Sequence, residues 1–163
     1  MRDWSSDVCS SDLWSYDPKT WEWGRPLNLG FITRGLSYWN DGEKERLLYA
    51  SNDAYLMSID IETAELDPEF GDGGKVDLTQ NLGVPVKDRG EFLRGYGVNS
   101  PVIICRGVVV VGSAIRDTPT RREIPPGHVR GYDVGTGEMR WIFHTIPQEG
   151  EPGTDTWEDG SWK

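Results

Sequence analysis

A six-residue pattern occurs twice, at Asp60-Ile-Glu-Thr63-Ala-Glu65 and at Asp133-Val-Gly-Thr136-Gly-Glu138. Each copy follows an apolar run and places Asp and Thr where their side chains can bond the backbone of their own turn. D-x-x-T-x-E therefore reads as the joint between two antiparallel strands. The second copy runs on to Trp141, giving D-x-x-T-G-x-x-x-W. A strand, a tight turn and a Trp at a fixed offset form a blade-type repeat. The copies lie 73 residues apart, against roughly 40–50 residues for one blade. The Gly- and Pro-rich stretch from Pro68 to about Gly95 accommodates the excess. Asp17-Pro-Lys-Thr20-Trp-Glu22 is either a third copy or an accident. Two copies also fit ordinary hairpin turns, so a sandwich or another all-β fold stays open beside a partial β-propeller.

The segments around these joints support strands. Leu47–Ala50 and Ala54–Ile61 flank the turn-like Ser51-Asn52-Asp53, with Tyr55, Met57 and Ile59 on one side. Val102–Cys105 and the wholly β-branched Val108–Val111 predict a hairpin of two buried strands across Arg106-Gly107. His128–Val134 and Glu138–His144 predict another pair. Thr79–Leu82 is the one weakly helical stretch, and no helix is predicted there. With 27 acidic and 17 basic side chains the chain is formally −10. That balance argues against nucleic acid, whose phosphates need a basic face. Eight Trp and six Tyr argue against plain disorder.

Residues 1–13 (MRDWSSDVCSSDL) are polar, without period, and echo SSD internally. Asp3–Leu13 resembles the translation of a sequencing-adaptor oligonucleotide, so 1–13 is read as a non-native leader and 14–163 as the domain. Cys9 falls in that leader. Cys105 alone makes neither a disulfide framework nor a zinc site.

Four stretches of 14–163 together resemble one family. They are Thr33–Trp39 (TRGLSYW), Leu47–Leu78 with its F-G-x-G-G-x-V-D-L loop, Ser100–Asp117 (SPVIICRGVVVVGSAIRD), and Val129–Thr145 with Thr156–Lys163. The chain resembles the quinoprotein dehydrogenases that use pyrroloquinoline quinone (PQQ), and most of all their glucose-dehydrogenase-like branch. The resemblance implies an all-β chain: two to three blades of an eight-bladed propeller, an early part of a longer enzyme.

That enzyme would oxidise a sugar or alcohol hydroxyl with PQQ and calcium. It would pass electrons to a respiratory quinone or a cytochrome, in the periplasm, with membrane tethering of the full-length protein left open. Carried over residue by residue, Arg34, Ser100, Ser113 and Ala114 would contact the cofactor. Arg34 suits this because PQQ carries carboxylates that a planar guanidinium fork matches. Asp117 would supply one carboxylate oxygen to calcium, which takes about six to eight.

The chain departs from some members. Asn28-Leu29-Gly30 stands where they carry adjacent cysteines, and Trp39 stands where some have His, so Trp39 is read as a packing aromatic. His128 and His144 match no family site and are read as surface or strand-edge residues. No catalytic residue is assigned here: the proton-accepting Asp and the stacking Trp are expected beyond Lys163, and the polypeptide by itself is expected to be inactive. A non-catalytic propeller scaffold and a carbohydrate-binding β-domain are the rival readings. Arg34 together with the GSAIRD loop separates them from the enzyme.

Overall fold

The structure is a computed structural model, and it describes residues 14–24, 30–118 and 124–162. The proposed leader, 1–13, lies outside them. Ten short strands form three antiparallel sheets. The first sheet is a meander of β1 (Ser37–Asn40), β2 (Glu45–Ala50), β3 (Tyr55–Asp60) and β4 (Lys75–Asp77). The second has β6 (Ile103–Cys105), β7 (Val108–Val111), β9 (Val129–Asp133) and β10 (Met139–Phe143) in that spatial order. Between them β5 (Tyr96–Gly97) pairs with β8 (Ala114–Ile115), an excursion from the second sheet. Two four-stranded antiparallel blades side by side are a partial β-propeller, as the repeat predicts.

The two D-x-x-T-x-E joints match bond for bond. Asp60 Oδ1 accepts from the backbone N–H of Glu62 and Thr63 (both 2.9 Å) and from the Thr63 hydroxyl (3.1 Å). Asp133 Oδ1 accepts from Gly135 N (2.9 Å), Thr136 N (2.8 Å) and the Thr136 hydroxyl (3.2 Å). The Thr hydroxyls then accept from Glu65 N and Glu138 N, each at 3.3 Å. Both turns need a left-handed residue at the fifth position, Ala64 (φ 61°) and Gly137 (φ 74°). The segment at Asp17 differs: it enters a 3-10 turn, Thr20–Trp23, rather than a strand.

The second joint also docks on the first blade. Gly71 N donates to Thr136 O at 2.8 Å, and a Cβ on Gly137 would lie 2.7 Å from Val76 and 3.0 Å from Gly71 N. From below, the buried Arg46 of β2 points Nη1 at Val134 O (3.4 Å) and Gly135 O (3.3 Å). Its Nη2 lies 2.6 Å from Asp67 Oδ2. One apolar cluster runs through both blades, including Leu48, Leu56, Phe70, Leu78, Tyr96, Val109, Val111 and Tyr132.

Three expectations are corrected. The hairpin across Arg106-Gly107 is present, with both turn residues at positive φ (49° and 76°). Its strand β6, however, is not buried: Ile103 is 68 % exposed. A one-turn helix, α1 (Arg89–Phe92), was not anticipated. It is capped by Asp88, whose side chain accepts from Glu91 N. His128 is a buried residue, 6 % exposed, because it sits just before β9, where its carbonyl accepts from the Ser113 hydroxyl. On the outer strand β10, whose register shifts between Met139 and Trp141, Met139, Trp141 and Phe143 are all exposed. Among the described residues no helix is long and apolar enough to cross a membrane.

Candidate functional site

Arg34 lies on the extended approach to β1, exposed and without an ion pair among the described residues. The backbone on either side of it is fixed. Upstream, Asn52 Nδ2 donates to Ile32 O (3.1 Å), and Asn52 Oδ1 accepts from the Thr33 hydroxyl (3.2 Å). The Tyr49 hydroxyl also meets the Thr33 hydroxyl at 3.2 Å. Downstream, Ser37 Oγ donates to Val102 O. Gly35 faces Pro101 closely enough that a Cβ would lie 3.4 Å from the proline Cβ. Arg34 and the exposed Ser100 thus flank one contact between the two blades.

Asn52 also reaches the other half of the predicted site. Its carbonyl lies against Gly97, where a Cβ would come to 2.7 Å. Gly97 pairs with Ala114. A side chain at 97 would push the β5–β8 ladder off Asn52, so a glycine is required there. Asn52, 5 % exposed, therefore ties the Arg34 segment to the Ser113–Ala114 loop. In the sequence, Ser51-Asn52-Asp53 reads only as a turn. A buried Asn among small polar residues has no local signature.

Ser113 points inward. Its hydroxyl donates to His128 O (2.7 Å) and meets the Tyr96 hydroxyl at 3.1 Å. Tyr96 in turn accepts from Arg130 Nη2. With its hydrogen engaged, the Ser113 hydroxyl has lone pairs but no donor for a carboxylate. Asp117 lies beyond β8, exposed, with an interaction partner of its own. Of the five predicted residues, Arg34, Ser100 and Ala114 are linked through Asn52 and Pro101. Ser113 supports the loop, and no bond joins Asp117 to Arg34. Among the described residues no group of three or more His, Cys, Asp or Glu is placed to hold a metal.

The His128 ring, whose Nδ1 is buried without a partner, meets the His144 ring edge-on at 4.6 Å between centroids. His144 Nδ1 lies 2.7 Å from Glu151 Oε1. Burial first, then His144 and Arg130, hold His128 below its usual value of 6.5, and Glu151 pulls weakly the other way. The folded state therefore binds the proton less readily than the unfolded chain. This contribution is complete above about pH 6.5 and is lost as pH falls through the depressed folded value. His128→Gln is expected to flatten the decline of the urea midpoint between about pH 7 and 5, relative to the parent chain. An identical decline in both would show the ring to be idle.

Comparison with known proteins identifies the family. The family described as "Glucose/ethanol/alcohol dehydrogenase, beta-propeller domain", of the PQQ class, matches residues 9–163. The chain belongs to this PQQ dehydrogenase family. The match begins inside the segment read as a leader. Among curated relatives of the PQQ propeller, the glycerol dehydrogenase large subunit of Gluconobacter thailandicus is 31 % identical over 83 % of this chain and 20 % of its own length. Quinoprotein glucose dehydrogenase of Escherichia coli (strain K12) is 31 % identical over 81 % of this chain and 17 % of its own. The chain thus spans about a fifth of the length of the curated relatives it matches. The quinohemoprotein alcohol dehydrogenase of Comamonas testosteroni superposes with a TM-score of 0.58 at 19 % identity, covering 91 % of this chain and 18 % of that one. That likeness supports the PQQ propeller fold.

Proposed function

We propose that this chain forms one wall of the cofactor pocket of a PQQ-dependent dehydrogenase that oxidises a sugar or alcohol hydroxyl. One observation carries the reading. The guanidinium of Arg34, without an ion pair among the described residues, is held on a backbone anchored by Asn52 and Thr33, beside Ser100 and one strand pairing away from Ala114. A planar donor fork on a rigid base, in a chain of net charge −10, suits a planar carboxylate-bearing cofactor.

The chemistry divides as follows. PQQ, when bound, supplies the two-electron acceptor for the carbinol carbon. Arg34 orients a cofactor carboxylate, and Ala114 bounds the pocket with a small side chain. Tyr96 and Ser113 hold the loop that carries Ala114. Asp117 offers one oxygen for calcium, and the remaining ligands are assigned to other parts of the longer enzyme. The residue that takes the substrate proton is assigned there too. The names of the relatives support a sugar or alcohol substrate and a quinone acceptor. A periplasmic location is proposed from the resemblance alone.

The test is direct titration of the chain with PQQ, with and without calcium, followed by tryptophan emission. Saturable quenching is expected, weakened about tenfold or more in Arg34→Gln, the scale of one charge-assisted hydrogen bond. An unchanged affinity in that variant removes Arg34 from the site and favours the scaffold reading. Dye reduction with glucose or ethanol is expected to be absent, and its presence would place the proton acceptor within these residues.

A further inference from the structure

A half-open cavity of about 520 Å³ lies away from the Arg34 segment, between α1 and the strand end after β8. Its size falls in the range of small-molecule sites, roughly 300–1,000 Å³. Phe92, 9 % exposed, and the buried Pro125 give it an apolar wall. Lys87 and Arg94 flank α1, and Arg116, the residue after β8, also lines the cavity.

The charge pattern is unlike that of the rest of the chain. The two acids that line the cavity are engaged: Asp88 caps α1 by accepting from Glu91 N at 2.7 Å, and Glu91 has its own partner. Lys87, Arg94 and Arg116 have no ion-pair partner among the described residues. Lys87, Arg94 and Arg116 set against the carboxylates of Asp88 and Glu91 leave the lining with one positive charge in excess, in a chain of net charge −10, and low-dielectric walls focus that excess. Cations on a flat surface are simply hydrated. Here they rim an apolar wall, which favours a ligand with an apolar body and anionic edges.

We propose that this cavity binds a small organic anion, a flat or compact molecule with two or more carboxylates. Arg94 and Arg116 grip the carboxylates and Phe92 contacts the body. The site is independent of the Arg34 reading. Because Arg116 adjoins Ile115 of β8, its occupant would also brace the loop that carries Ser113 and Ala114.

The probe is benzene-1,3,5-tricarboxylate, titrated calorimetrically into the whole chain. Saturable one-to-one binding is expected. It should fall about tenfold or more in Arg94→Gln/Arg116→Gln, from the loss of charge-assisted bonds. The titration is carried out in the Arg34→Gln background, which removes the donor fork offered to PQQ, so failure here and failure of the PQQ reading are separable. Lys87→Gln provides a second variant on the opposite rim, should the double variant lose its fold. The uncharged benzene-1,3,5-trimethanol is expected not to bind. Absence of saturable binding overturns the proposal. So does equal affinity in a folded variant, or displacement by an equal concentration of inorganic phosphate, which would reduce the effect to charge alone.

Discussion

Asp67→Ala is expected to cost the chain about 3–5 kcal/mol, the penalty for leaving a buried charge without its counterion. Arg46 and Asp67 are 4 % and 6 % exposed, and Nη2 approaches Oδ2 at 2.6 Å. The approach is Coulombic more than an aligned hydrogen bond, since Asp67 Oδ2 and Arg46 Nε lack well-directed partners. Lys44, at 3.9 Å from Oδ1, is too distant and too exposed to substitute. Without Asp67 the Arg46 guanidinium keeps only the Trp39 ring, 5.3 Å away, and two long bonds to Val134 O and Gly135 O. The decisive comparison is Arg46→Met/Asp67→Leu, which removes both charges and is expected to recover most of the loss. Urea unfolding followed by tryptophan emission measures all three. If Asp67→Ala keeps the parent midpoint, the pair does not hold the blades together.

Arg130→Ala is expected to destabilise by a similar amount, about 3–5 kcal/mol, by a different mechanism. Arg130 is 1 % exposed and has no carboxylate within ion-pairing distance among the described residues. Its fork donates to Leu78 O (2.8 Å), Gln80 O (3.0 Å) and the Tyr96 hydroxyl. Truncation leaves a cavity and three oxygens without a donor. Lysine at 130 is not expected to rescue, because a single ammonium cannot reproduce the planar fork. Tyr96→Phe removes one link of the same chain and is expected to cost only about 1–2 kcal/mol. Thermal or urea midpoints in the order parent, Tyr96→Phe, Arg130→Ala test this. Equal losses for both variants would show that the hydroxyl, and not the guanidinium, organises the region.

What is legible in the sequence alone is local. The D-x-x-T joints were legible because Asp60 and Thr63, like Asp133 and Thr136, bond their own backbone and need no distant partner. The valine run of β7 was legible for a similar reason, its stiff β-branched side chains. The β5–β8 pair was not, because each strand has two residues and nothing in Tyr96-Gly97 announces a partner at Ala114-Ile115. The exposure of β6 was missed because apolar composition predicts burial only if another layer covers it. At the candidate site, Arg34 stood out through resemblance. Asn52, which holds its segment in place, did not: its importance lies in three contacts with residues far along the chain. His128 was misread for the same reason.

The docking of Thr136 and Gly137 on Phe70, Gly71 and Val76 gives the second joint a double duty. A turn that closes its own hairpin also acts as the spacer that sets the wedge between neighbouring sheets. Angular pitch in such a ring is then a property of six-residue corners rather than of strands. A bulkier residue at one corner would open one wedge, and the error would be inherited by every later sheet until the circle failed to meet itself.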